Sequence, residues 1–160
     1  MTDKTKHSIE FERNDNRAVR LPAKTVMASW IEEAATVPLN LVIRFVDEEE
    51  GRELNRYRRP LYEKAGKKDY ATNVLTFDYA HEPVAEADIV ICTSVVVREA
   101  KEQGKTFREH LAHLLVHAAL HAQGYDHQTD IEAERMEAVE TFIMKRLGFD
   151  DPYFDRARAH

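Results

Sequence analysis

The chain has 160 residues, of which 43% are hydrophobic and 32% are charged, and its formal net charge at pH 7 is −6. This composition predicts one globular domain over residues 1–160 and excludes a disordered chain. The acidic balance argues against a generic nucleic-acid coat, which is usually basic. Because there is no long apolar run, no signal-peptide core and only one cysteine, we expect a cytoplasmic protein without a membrane partner.

Strands and helices alternate in the first half of the predicted structure. Alternation of apolar and acidic residues over Ser8–Arg13 predicts a half-buried strand, and the β-branched run Leu39–Val46 predicts a central strand. Between them, apolar residues at helical spacing over residues 22–36 predict a core-facing helix. Asp47 suits the N-cap of a second helix, which Pro60 ends.

The second half of the chain predicts two short strands followed by three helices. The two strands are Val74–Phe77 and Asp88–Cys92, and the acidic segment Tyr79–Glu86 connects them. Thr93 or Ser94 can cap the next helix, which Gly104 ends.

Capping boxes mark the last two helices of the chain. Thr106 and Thr129 each stand three residues before a Glu, which is the spacing of that motif. The first of these helices carries an apolar stripe beside a stripe of four histidines, so we expect its histidines at the edge of the core, beside a cleft. The second helix ends at Gly148, and a polar tail, residues 150–160, follows.

Five of the eight histidines lie between positions 110 and 127. His117 and His121 are four residues apart, which places them on one face of a helix. Gly124 is suited to end that helix in a left-handed conformation, so the chain can turn and bring His127 to the same point. Three neutral imidazoles with a fourth position open are the ligands of a catalytic zinc site.

The spacing of these histidines is also that of the metzincin proteases. In those enzymes a Glu after the first histidine is the general base, whereas this chain has Ala118. A zinc metallopeptidase is therefore an alternative hypothesis that the missing carboxylate disfavours. A second alternative is a non-catalytic protein that binds RNA or the ribosome and in which zinc stabilises the turn, although the open coordination position disfavours it.

Four further residues near the motif have two interpretations each. His110 and His113 lie farther from the metal on the helix. Each is either a packing or surface residue or a residue with a functional role. Asp126 can orient a ligand histidine, or it can cap the next helix or bind the backbone of the turn. Cys92 ends an apolar strand, which favours a buried inert thiol over a metal ligand.

A basic stretch, Arg52–Lys68, contrasts with the acidic balance of the whole chain. It holds seven basic and two acidic residues. Such a patch is typical of a site for an anionic partner, and it is equally typical of a solvated helix end and loop.

The motif from His117 to His127 resembles the signature of the YbeY family of bacterial endoribonucleases. Other segments resemble that family in the same order, over about residues 38–153. They are Leu54–Asn55 with Tyr57–Arg59, Lys68–Phe77, Ala87–Cys92, Arg98–Lys105, Glu134–Glu140 and Gly148–Tyr153.

This resemblance implies a zinc-dependent endoribonuclease that is specific for single-stranded RNA. It implies one zinc ion per chain, held by His117, His121 and His127. Its expected roles are maturation of the 3′ end of 16S ribosomal RNA and ribosome quality control, with ribosomal RNA and the small ribosomal subunit as partners. The implied fold is α+β, a small mixed β-sheet with about five helices packed on it and a zincin-like metal helix against the sheet.

The resemblance also implies a catalytic arginine after the Leu-Asn-x-x-Tyr-Arg pattern of the family. In this chain the pattern is one residue short. Counting from Asn55 selects Arg59, while following the tyrosine selects Arg58. We favour Arg59 for contact with phosphate.

Overall fold

Nine regular elements lie in the ranges that this computed structural model describes, residues 7–15, 19–58 and 72–153, with only the backbone described at residues 57 and 58. In chain order they are β1 Ser8–Asn14, α1 Lys24–Glu33, β2 Leu39–Val46, α2 Glu48–Arg58, β3 Val74–Ala80, β4 Ala85–Cys92, α3 Thr93–Gln103, α4 Phe107–Ala122 and α5 Asp130–Arg146. The prediction of an α+β fold with a small mixed sheet and five helices is confirmed.

The four strands form one sheet in the order β1-β2-β4-β3. β1, β2 and β4 run parallel, and β3 pairs antiparallel with β4 at one edge. In β2 and β4, Leu41, Ile43, Ile89 and Ile91 are fully buried. The fully buried residues of these strands alternate with the polar residues Asn40, Arg44, Glu86 and Asp88, so the main core lies on one face of the sheet.

Helix α4 is the central helix of the fold, because it contacts β3, β4, α1, α3 and α5. Ten of its 16 residues are buried, and small residues such as Ala118 and Ala119 allow close packing. The apolar side of α4 therefore fixes the direction of its histidine stripe. No helix in the described ranges is long and apolar enough to cross a membrane.

The predicted connection over Tyr79–Glu86 is too long, because strands occupy four of its eight residues. β3 continues to Ala80 and β4 already begins at Ala85, with a register shift between Asp78 and Ala80. The Tyr79 hydroxyl donates a hydrogen bond of 2.6 Å to Asp88 across the pair. The connection itself is residues 81–84, while Tyr79 and Glu86 lie on the paired strands and are exposed to solvent.

The predicted side-chain cap of α3 is also wrong. Cys92 is the N-cap residue and makes no side-chain cap hydrogen bond. The Thr93 hydroxyl donates instead to buried Asp15 at 2.8 Å, and the Ser94 hydroxyl donates to Glu48 at 3.0 Å. Both hydroxyls connect α3 to other parts of the fold.

Candidate metal centre

The turn after α4 brings the last histidine of the motif back toward the helix. Gly124 has φ +105°, which favours glycine, and its N–H donates to His121 O at 3.0 Å. The N–H of Tyr125 donates to Leu120 O at 3.1 Å, which completes a Schellman motif. A Cβ on Gly124 would lie 3.4 Å from His81 Nδ1, so the turn is also tightly packed.

His117, His121 and His127 lie together at one groove. The ring centroid of His127 is 5.6 Å from that of His117 and 6.3 Å from that of His121. These rings and Asp126 line a groove of about 610 Å³, whose opposite side is the edge strand β3. The reversal of the chain at Gly124 thus has the geometric result expected from the sequence.

Three side chains at this groove can hold a metal ion. Ligand atoms of His121, Asp126 and His127 all lie within 4.8 Å of one another. A tetrahedral zinc with bonds of about 2.1 Å needs its ligand atoms about 3.4 Å apart, so small side-chain rotations would close the set. Burial lowers the pKa of His121 below its ordinary value, which favours the neutral imidazole that a metal requires.

Asp126 and His117 complete the surroundings of this group. Asp126 Oδ1 accepts a hydrogen bond of 2.7 Å from His127 N, so its carboxylate also binds the backbone of the turn. His117 lines the same groove but lies outside the group of three. The set of His117, His121 and His127 as the zinc ligands therefore stays a prediction.

Glu140 of α5 holds His117 from behind. Its side chain is fully buried, and its Oε2 lies 2.6 Å from His117 Nδ1. Its Oε1 lies 2.7 Å from His113 Nε2 and also accepts a hydrogen bond from the Tyr153 hydroxyl. One carboxylate thus links two histidines of α4 with the segment that follows α5.

The protonation of Glu140 determines which atom of His117 faces the groove. Burial raises the pKa of Glu140, but hydrogen bonds from His113 and His117 outweigh it and lower the pKa to about 2. The carboxylate is therefore ionised and can only accept. His117 Nδ1–H must donate to it, which leaves the lone pair of Nε2 for a metal, as metal-bound histidines usually require.

The residues beside His117 are also fixed by carboxylates. Burial lowers the pKa of His113 despite its contact with Glu140, so its ring is neutral and donates through Nε2. Farther along α4, His110 Nε2 lies 2.9 Å from Glu99 Oε1, which also accepts a 2.9 Å hydrogen bond from Asn73 Nδ2. His110 is thus buried and His113 is partly buried, and both are hydrogen-bonded rather than free on the surface.

Comparison with known proteins gives the family of the chain. The family model described as Endoribonuclease YbeY matches residues 3–148. The chain belongs to this family. Its relatives include proteins named Endoribonuclease YbeY. That of Albidiferax ferrireducens is 52% identical, over 91% of this chain and 95% of the relative. That of Delftia acidovorans is 55% identical, over 91% of this chain and 93% of the relative.

The fold is also shared with a solved structure. The solution structure of TM1509 from Thermotoga maritima covers 88% of this chain and 91% of that protein, with a TM-score of 0.53 and 21% identity. At this identity the likeness shows the fold alone. It agrees with the YbeY family match, which comes from sequence.

Two parts of the site predicted from sequence lie outside the described residues. Arg59 and residues 60–68 of the basic stretch are not described, and the side chain of Arg58 is not described either. The assignment of a catalytic arginine to this YbeY family member therefore stays a prediction.

Sequence reasoning missed the role of Glu140, although the sequence contained a signal. Met136 and Ile143 mark the inward stripe of α5, and Glu140 lies four residues after one and three before the other. A charged residue on an apolar stripe needs a buried partner. The partners lie on α4, so the pairing becomes visible only when the two helices are packed together.

Proposed function

We propose that this chain is a zinc-dependent endoribonuclease that cuts single-stranded RNA in the cytoplasm. We propose ribosomal RNA as its substrate, with maturation of the 3′ end of 16S ribosomal RNA and ribosome quality control as its roles and the small ribosomal subunit as its partner. The observation that carries the proposal is the groove at His117, His121 and His127, with His117 oriented by Glu140. Family membership supports the nuclease class.

The residues present fit the chemistry of phosphodiester cleavage. Zinc, when bound, polarises a water molecule and lowers its pKa toward 7. His117, His121 and His127 would hold the metal as neutral imidazoles, and Glu140 keeps His117 in the required tautomer. Arg59, or alternatively Arg58, would offset the charge that builds on phosphate oxygens, for which a guanidinium is suited.

The proposal is tested by measuring RNA cleavage and metal content on the same preparations. Wild-type protein is expected to contain about one zinc per chain and to cut a single-stranded RNA but not its duplex. His117→Ala and exhaustive metal removal should each abolish cleavage. Unchanged cleavage after both treatments would refute the metal mechanism.

The two arginines can be separated by single substitutions. Arg59→Ala is expected to lower the cleavage rate more than Arg58→Ala, with metal content unchanged in both variants. The opposite order would assign the phosphate contact to Arg58.

One observation favours a peptidase as a second candidate. Cys92 N donates to Asn73 O, which makes these two residues a hydrogen-bonded pair of the antiparallel ladder. Hydrogen-bonded pairs alternate along such a ladder, so the backbone N–H and C=O groups of Val74 and Thr76 point away from β4 and toward the groove. No described strand pairs with this edge of β3, and an edge of this kind can pair with an extended peptide. Ala118 is fully buried and offers no carboxylate, however. Cleavage of casein but not of RNA by the zinc-loaded protein would favour this candidate.

A further inference from the structure

A second cavity lies beside the metal groove. It has a volume of about 390 Å³, within the range of about 300–1,000 Å³ that is usual for ligand sites. His117, Asn73 and Val74 line both the cavity and the groove, so the two spaces adjoin at the candidate metal centre. We propose that this cavity binds one unstacked base of the RNA strand, next to the bond that is cut. This inference rests on the proposed function.

Two rings in the wall give the cavity flat, rigid surfaces. The ring centroids of His113 and Tyr153 are 5.2 Å apart, at an interplanar angle of 82°. Both side chains are hydrogen-bonded to Glu140, which fixes the corner that they form. Proteins bind the bases of single-stranded RNA by stacking them on such rings.

Two amides in the wall match the polar edge of a base. Asn73 Nδ2 donates to Glu99, and this contact fixes its amide beside the opening to the groove. Gln103 is half-buried at the end of α3, and its amide makes no hydrogen bond within the part of the chain that the structure describes. Amide side chains supply both donors and acceptors, as the edges of bases require.

The charges around the cavity favour an uncharged base over a phosphate. Among the residues that the structure describes, Lys105 is the one cation in its wall. The ionised carboxylates Glu99 and Glu140 are hydrogen-bonded to the wall residues His110 and His113. Within the described ranges, these two negative charges behind the wall outnumber the cation in it, so a phosphate would gain little there. A neutral base meets no such repulsion.

The test is an abasic scan of a short unstructured RNA that the zinc-loaded protein cuts at a mapped bond. Each base is removed in turn, and initial cleavage rates of the zinc-loaded protein and RNA affinity after metal removal are measured. Loss of the one base that enters the cavity is expected to weaken binding by roughly 5- to 150-fold. The base should adjoin the cut bond.

Two variants assign the effect to this cavity. Leu114→Phe fills it from α4, and Gln103→Leu removes an amide from a half-buried position. In Leu114→Phe the intact RNA should bind as weakly as the abasic RNA, and in Gln103→Leu it should bind more weakly than it binds the wild type, because the base loses one hydrogen-bond partner. Glu102→Gln, on the exposed neighbouring residue, is the control and should keep the wild-type pattern. Thermal unfolding and zinc uptake verify that each variant is folded.

The outcomes separate this inference from the proposed function. Cleavage with no sensitive base, or a sensitive base that stays sensitive in both cavity variants, would overturn the base site and leave the nuclease proposal intact. A protein that neither binds nor cuts single-stranded RNA would overturn both.

Discussion

Replacement of Glu140 by Gln tests the buried link between α4, α5 and the chain after α5. The carboxylate accepts hydrogen bonds from His113, His117 and Tyr153. The amide of Gln has one acceptor oxygen, and its NH2 group must face one of these donors. At least one buried donor then loses its partner, and the tautomer of His117 is no longer fixed.

The magnitude follows from the pKa of Glu140, which is about 2 compared with the ordinary 4.5. At about 1.36 kcal/mol for each pH unit, this difference of about 2.5 corresponds to about 3 kcal/mol of folding stability. Because the pKa is lowered in the folded state, this contribution is complete above about pH 4.5 and is lost as the pH falls toward 2. Loss of the partner of a metal-binding histidine also typically weakens metal affinity about 10- to 100-fold.

Urea unfolding of the metal-free protein and zinc competition with a chromogenic chelator provide the two measurements. At pH 7, Glu140→Gln should lower the free energy of unfolding by about 3 kcal/mol, and this difference should shrink below pH 4.5. Glu134→Gln is the matched control, because Glu134 is an exposed carboxylate on the same helix. A loss below about 1 kcal/mol together with unchanged zinc affinity would refute the role given to Glu140.

Three further substitutions test the elements around the site, each by urea unfolding. Tyr153→Phe removes a hydrogen bond to the ionised Glu140 and should cost about 1.5–3 kcal/mol, and an unchanged free energy would contradict the contact. Gly124→Ala places a Cβ at φ +105° and should lower the free energy of unfolding by about 1–3 kcal/mol and weaken zinc binding. Unchanged zinc binding would show that the turn is not needed to position His127. Thr129→Ala removes the capping box of α5 and should cost about 1 kcal/mol with zinc affinity unchanged.

Local sequence signals predicted the elements whose stability is decided locally. The bounds of β2 were predicted as observed, because six of its eight residues are apolar and the strand lies inside the sheet between β1 and β4. The turn at Gly124 was also predictable, since a positive φ requires glycine at the end of α4. Likewise, Asp47 Oδ1 accepts a hydrogen bond of 2.9 Å from Glu50 N at the predicted N-cap of α2.

Other features depended on contacts between distant segments and could not be predicted in this way. The ends of β3 and β4 depend on cross-strand contacts such as the hydrogen bond of Tyr79 to Asp88, whereas the local sequence predicted a connection over Tyr79–Glu86. Thr93 had the composition of a cap, but a stronger partner, Asp15, lies 78 residues away in sequence. Where a side chain can bond either a local or a distant partner, only the tertiary structure shows which partner it has.

The geometry of the candidate metal centre depends on residues whose partners lie far away in the sequence. An ionised carboxylate such as Glu140 is too costly to bury unless each oxygen has a donor. Its donors come from α4 and from Tyr153 beyond α5, so a shift of either segment removes at least one hydrogen bond from a buried charge. The same contacts aim His117 at the groove and fix the walls of the adjoining cavity. In the proposed function and the proposed base site, a single buried charge places both the metal ligand and the base, so its substitution should affect stability and metal affinity together.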